Sequence, residues 1–306
     1  MRINTAGTRH VLENRGESLW FFKEWETFLE FAGLTKLDDF LHLTGKEVDR
    51  NRKTVVYRII LGDDNQVFYI KLHRNYVKRY VKSFFQKIPY SGIELNNMMH
   101  YSRAGLDDLD PVAWGWRSGP GGDDSFLLLK ELEGYISLQQ WLNGEACASR
   151  EQRRAVSHAV AVMLAKMHDY GLAHIDLFSW HVFVKKLGHG FYAHPIDLER
   201  TKIKQNWFGS EWLMRRKQAN DLAVLHLTVP WPQISFAERM RFYAEYCRLR
   251  GITDRKRPFL KLVLSIARNR GSKKRFRPYG VAAKLRDARG GYLNFMHRKI
   301  HQVEKN

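Results

Sequence analysis

Cysteine is nearly missing from this chain, whose 306 residues contain only Cys147 and Cys247, in no metal-ligand spacing. That scarcity argues against a disulfide framework and against a zinc site, and fits a reducing cytoplasm. A run of about 18 apolar residues is also missing, as is a charged segment leading into an apolar one. Neither a membrane-spanning helix nor an export signal is therefore expected. The stretch from Gly45 to Thr54 holds one glycine and no Gly-x-Gly-x-x-Gly, so a backbone cradle for phosphate is not evident. Acids are few: 32 Asp and Glu stand against 51 Lys and Arg, a formal charge of +19. Hydrophobic residues, at 44%, are numerous enough for a substantial core.

The positive charge is unevenly placed. Between Arg248 and Arg277 there are 12 Lys or Arg and one acid, Asp254, and the stretch from Lys71 to Lys87 carries six and no acid. Such clusters are either solvated faces or sites that gather polyanions by an attraction screened over about 10 Å. Nucleic acid is the first partner to test, and no zinc finger, RNA-recognition signature or helix-turn-helix accompanies the charge. Trp20, Phe21, Phe22 and Trp25 read as one face of an N-terminal helix rather than a base-stacking platform. Charge alone does not make this a nucleic-acid binder; anionic lipid and a phosphorylated glycan stay open.

Periodicity divides the chain in three. Residues 15–40 read as helix, with Trp25, Phe28, Leu29 and Ala32 at three- and four-residue steps, giving an N-terminal helical extension over 1–43. From 44 to 132 the pattern is short strands: 54–60, a turn at 62–65, then 67–72, with 112–116 and 126–129 further on. Within this part, 91–99 is a helix candidate. From 133 to 306 the chain is mainly helical and ends in a basic region. Ser149 with Gln152 is a capping pattern, and Val156, Ala159, Val160, Met163, Leu164 and Met167 form one apolar stripe that stops at Gly171. Residues 210–227 and 236–250 also read as helix.

The chemistry-bearing pattern is His174-Ile175-Asp176-Leu177, then His181 five places after that aspartate, an apolar strand, and Ile196-Asp197-Leu198. Two carboxylates so spaced suit phosphoryl transfer from ATP: one accepts the proton of a hydroxyl, the other holds Mg²⁺ on the phosphates. Asp176 is the candidate base and Asp197 the candidate metal ligand. His181 is either a second metal ligand or a hydrogen-bonded structural histidine, since imidazole is a less usual partner for Mg²⁺. His174 is expected to brace the loop, and Asp221 is either an acceptor for loop N–H groups or a plain helix acid. Upstream, Lys71 closes the alternating run Val67-Phe68-Tyr69-Ile70-Lys71, and Glu94 is the carboxylate that a buried lysine needs. Arg52, Lys53 and Thr54, after Gly45, are candidates for side-chain contacts to nucleotide phosphate. Adenine would meet backbone groups near Lys130 and Leu132.

These residues resemble the Kdo/WaaP lipopolysaccharide kinases. The likeness rests on Gly45 with Arg52-Lys53-Thr54, Tyr69-Ile70-Lys71-Leu72-His73-Arg74, His174-x-Asp176 with His181, Ile196-Asp197-Leu198-x-Arg200, and Asp221-Leu222-Ala223. It covers roughly residues 44 to 230. It implies an α+β, bilobal protein-kinase-like fold: an antiparallel-sheet N-lobe with one helix, then a mainly helical C-lobe. It also implies ATP- and Mg²⁺-dependent phosphorylation of a sugar hydroxyl, typically heptose, in the lipopolysaccharide inner core. The expected location is the cytoplasm, peripheral at the cytoplasmic face of the inner membrane. There the basic stretch with Lys78, Arg79 and Lys82 would meet anionic lipid and glycolipid, and a carrier or chaperone protein is admitted as a further partner. Two rival readings are a Kdo-directed kinase of the same family and a non-catalytic nucleotide-binding scaffold.

Overall fold

A computed structural model describes residues 3–8, 10–14, 18–80, 86–119, 122–144, 149–229, 233–254 and 256–271. Lys82, Cys147 and the end of the basic C-terminal run, past Gly271, lie outside the described residues. The chain forms two compact units, Met1–Glu133 and Gly134–Asn306.

The first unit contains β1 (Leu12–Asn14), β2 (Leu19–Phe22), α1 (Glu26–Phe31), α2 (Leu37–Leu41), β3 (Lys46–Arg50), β4 (Thr54–Leu61) and β5 (Gln66–Arg74). It continues with β6 (Val77–Tyr80), β7 (Gln86–Pro89), α3 (Tyr90–Arg103), β8 (Pro111–Gly119) and β9 (Gly122–Lys130). Seven strands form one antiparallel sheet in the order β1-β2-β8-β9-β5-β4-β3, while β6 and β7 pair separately. Alternation decides which way β5 points its residues. Phe68, Ile70 and Leu72 enter a core with Leu29, Leu37, Phe40 and Phe126. Tyr69 and Lys71 face the opposite side, the side of α3.

The segment before residue 44 departs from the expected helical extension. Leu19–Phe22 is a strand hydrogen-bonded to β8, with Trp20 opposite Trp114, and a 3-10 turn at Lys23–Trp25 and two short α-helices follow. The run Leu-Trp-Phe-Phe is apolar at every position, so it has no helical period, and aromatic residues fit a pleated surface. Leu19 and Phe21 then pack in the same core as Leu29, Leu34 and Phe40. Asp39 starts α2 by accepting from the backbone N–H groups of Thr35 (2.9 Å) and Lys36 (2.7 Å).

The second unit contains β10 (Ile136–Ser137), α4 (Leu138–Asn143), α5 (Arg150–Asp169), β11 (Leu172–Ala173), β12 (Val182–Leu187), β13 (Gly190–Pro195), β14 (Lys202–Ile203), α6 (Ser210–Thr228), α7 (Phe236–Leu249) and α8 (Lys256–Gly271). Ser149 Oγ caps α5 by accepting from the N–H of Glu151 at 3.2 Å, and the stripe from Val156 to Met167 is buried. Gly171, at φ +87°, takes the left-handed turn that ends this helix and releases the chain into β11. In α8 the residues Phe259, Leu260, Val263, Leu264 and Ala267 are buried, so this part of the basic tail is an amphipathic helix with its cations outward. Among the described residues, no helix is long and apolar enough to cross a membrane.

Candidate active site

In the first unit, the side of the sheet away from the Phe68 core presents Lys71 to α3. Its Nζ donates to both carboxylate oxygens of Glu94, at 3.0 and 2.8 Å. The Glu94 side chain is 2% exposed and that of Lys71 16%, so the pair is desolvated and each charge depends on the other. The remaining candidates of this unit are placed as follows. Gly45 lies where a Cβ would stand 2.4 Å from the Arg58 carbonyl oxygen, so close packing on β4 requires glycine there. Arg52 is exposed in the turn between β3 and β4, which Asn51 Oδ1 closes by accepting from the N–H groups of Lys53 and Thr54. Thr54 is buried with its hydroxyl 3.1 Å from His73 Nδ1. Lys130 ends β9 with its ammonium 5.4 Å from the Trp25 ring centroid, and half-buried Leu132 follows.

In the second unit, the loop from His174 to His181 leaves β11 and is organised by one carboxylate on α6. Asp221, fully buried, accepts from the N–H of His174 and from the N–H of Ile175, each at 2.7 Å. Asn220 Nδ2 donates to the Ile175 carbonyl at 2.9 Å. These bonds hold Ile175 at φ +76°, a region that β-branched residues avoid, so the fold retains local strain next to Asp176. Beneath them, His168 bridges Asp221 Oδ2 (3.3 Å) and the Tyr246 hydroxyl (2.7 Å), and burial pushes its pKa down. His174 reaches across to the Ile196 carbonyl with Nε2, at 2.9 Å, in keeping with a bracing role.

Asp176 is 6% exposed, and Arg200 Nη1 donates to its Oδ2 at 2.5 Å. Asp197 follows the strand β13 with φ +61°, a left-handed conformation that aspartate tolerates better than most residues. His181 Nδ1 lies 2.9 Å from the backbone carbonyl of Asp176, an oxygen that only accepts, so Nδ1 carries the proton. Burial lowers the pKa of His181 although Asp197 opposes the shift. The neutral ring then offers the lone pair of Nε2, which lies 3.8 Å from Asp197 Oδ2. Sequence reasoning gave no role to Arg200, Asn220 or His168. The recurrence of Arg200 in the Ile-Asp-Leu-x-Arg pattern was the available signal for it; the other two carry none. A separate cavity of about 660 Å³ lies among α4 to α8, lined by Leu138, Trp141, Val160, Leu225 and Val263, and includes none of these residues.

Comparison with known proteins accords with this geometry. The profile of the Lipopolysaccharide kinase (Kdo/WaaP) family matches residues 47–246. The lipopolysaccharide core heptose(I) kinase WaaP of Pseudomonas aeruginosa is 25% identical over 198 residues, which are 60% of this chain and 71% of that protein. A solved structure of WaaP in complex with acyl carrier protein superposes with a TM-score of 0.60 at 22% identity, covering 85% of this chain and 98% of that one, and shows the shared protein-kinase-like fold.

Proposed function

Because this chain belongs to the lipopolysaccharide kinase (Kdo/WaaP) family, we propose that it transfers the γ-phosphoryl group of ATP to a heptose hydroxyl of the lipopolysaccharide inner core. The observation that carries this reading is the buried Asp176 carboxylate on a loop braced through Asp221, with Asp197 and His181 beside it. The acceptor oxygen bonds to the γ-phosphorus, the bond from phosphorus to the β-phosphate oxygen breaks, and the hydroxyl proton passes to Asp176. Arg200 fixes the orientation of that carboxylate and compensates its charge. Lys71, aimed by Glu94, neutralises phosphate charge; Arg52 and Thr54, at the turn between β3 and β4, are the side chains offered to phosphate, Gly45 serves the packing on β4 instead, and the backbone near Lys130 and Leu132 receives adenine. Heptose is preferred to Kdo as acceptor on the strength of the named relative.

The donor set fits a divalent metal. A carboxylate oxygen of Asp197 and the unprotonated Nε2 of His181 converge, and His181 is held in the tautomer that leaves this nitrogen available. Mg²⁺ bound through these two residues would supply charge neutralisation on the nucleotide phosphates, keeping its other positions for water and phosphate oxygens. The imidazole makes Mn²⁺ a natural substitute.

A carrier protein is the partner this reading adds, since the fold neighbour was solved with an acyl carrier protein. Support comes from the cavity among α4 to α8, whose apolar lining suits an acyl chain and whose Arg154 and Arg241 suit an anionic group. The protein would work at the cytoplasmic face of the inner membrane. The test is transfer of labelled γ-phosphate from ATP to dephosphorylated core oligosaccharide, with heptose-less core as control. Asp176→Ala should lose transfer by about a thousandfold or more and keep ATP binding. ATP binding without transfer in the wild type would favour the scaffold reading.

A further inference from the structure

From the link after β14 into the first turn of α6 the chain exposes three large aromatic side chains that the proposed chemistry leaves unused. Phe208 is 101% exposed, Trp212 62% and Trp207 55%. Gly209, at φ +81°, turns the chain into the first turn of α6, and the Ser210 N–H donates to the Trp207 carbonyl at 3.1 Å. The closed turn carries Trp207 and Phe208 at its tip, and Trp212 follows on the exposed side of α6. Single exposed apolar residues are ordinary; three large aromatics within six positions mark an interaction surface.

The surroundings are cationic. Residues 202–217 hold Lys202, Lys204, Arg215, Arg216 and Lys217 against one acid, Glu211, which is itself paired with Lys204. The Arg216 guanidinium stands 5.9 Å from the Trp212 ring centroid, which keeps cation and ring together at the surface. Lys202 and Lys204 are exposed as well. Tryptophan beside lysine and arginine is the composition that settles at the headgroup level of a bilayer, rings in the interface and cations over anionic headgroups. A rigid protein partner would have to bring a matching pocket for a Phe208 side chain that is fully exposed among the described residues, whereas a fluid interface closes around it.

We propose that the Trp207, Phe208 and Trp212 surface, with Lys202, Lys204 and Arg216, docks this protein on an anionic lipid bilayer. The proposal deepens the kinase reading and rests on it for its purpose, because a lipid-anchored acceptor is met at such a surface. The segment leads from Asp197 and Arg200 into the helix that carries Asp221, so docking would hold the chain on both sides of it. Docking itself requires neither ATP nor transfer, and the two readings therefore fail separately.

The experiment uses the full chain with vesicles of one-third phosphatidylglycerol in phosphatidylcholine, and phosphatidylcholine alone as control, read by co-sedimentation. Wild type should bind the anionic vesicles and release them at high salt. Phe208→Ala should weaken binding about tenfold and the triple alanine variant of Trp207, Phe208 and Trp212 roughly a hundredfold. Acyl chains carrying bromine should quench a fraction of the tryptophan emission that disappears when Trp207 and Trp212 become Phe. These exposed changes should leave the thermal midpoint and ATP binding unaltered, and phosphorylation of a delipidated core within about twofold of wild type. Equal vesicle binding by the triple variant would overturn the proposal and point to a protein partner; equal binding to both vesicle types would overturn it by showing that the cations play no part. Failure of transfer in every variant, with vesicle binding still separating them, would sink the kinase reading and leave the docking surface standing.

Discussion

Lys71 and Asp176 are anchored by opposite means. Lys71 sits on a central strand of a seven-stranded sheet, where alternation already sets its direction, and Glu94 is the carboxylate that receives its charge. Asp176 sits on a loop, where nothing local sets direction. There the backbone on its N-terminal side is tied to Asp221 and Asn220, its own carbonyl to His181, and its carboxylate to Arg200. A residue on a regular element needs one good partner; a residue on a loop needs its backbone held. The contrast predicts that damage stays local in the first case and spreads in the second.

The largest effect should follow from Lys71→Met. It leaves the Glu94 carboxylate, 2% exposed, without this cation, and breaking such a buried pair costs about 3–5 kcal/mol. Urea denaturation should record that loss. The double variant Lys71→Met, Glu94→Leu should recover most of it, because no buried charge remains, while staying inactive. If the double variant is no more stable than the single one, the pair is not the anchor described here.

Asp221→Asn tests the other side. The amide keeps the shape but loses the negative charge that accepts the N–H groups of His174 and Ile175, and its NH₂ group meets donors. A stability loss of about 2–3 kcal/mol is expected from the charge-assisted bonds. Ile175, freed from its clamp, should leave the left-handed region, so turnover should fall while the apparent affinity for ATP holds. A fall in ATP affinity with turnover unchanged would contradict the loop-positioning role.

The same contrast separates what was legible in the sequence from what was not. Strand alternation over 67–71 and helical spacing over 91–99 announced Lys71 and Glu94, and the stripe in α5 announced the helix that delivers the loop. Asp221 was legible only as a candidate, since its partners lie 46 and 47 residues away. Nothing local announced the Arg200 contact with Asp176, 24 residues apart, or a left-handed Ile175, which β-branched propensity argues against. The N-terminal segment misled because an unbroken apolar run satisfies helix and strand alike. Its strand state is decided by β8, which comes some 90 residues later.

Acidification should sharpen the comparison further, because buried His168 and half-buried His226, at the wall of the cavity among α4 to α8, lie in the unit that carries the loop. Burial, reinforced by Arg239, lowers the pKa of His226 to about 3, and burial lowers that of His168. The unfolded chain takes up these protons near the ordinary histidine value of about 6.5, while the folded chain refuses them. Folding is therefore favoured fully above that value, and His226 removes about 1.4 kcal/mol per pH unit below it until its folded value is reached, with His168 acting in the same direction. Between pH 6.5 and 5 His226 alone should withdraw about 2 kcal/mol, the smallest of these effects. His226→Gln removes the titration at similar volume, so thermal melts of the variant should fall less steeply with acid than those of wild type. His168 leaves a residual slope. Parallel curves would mean that His226 is protonated in the folded chain and that the burial argument fails at this position.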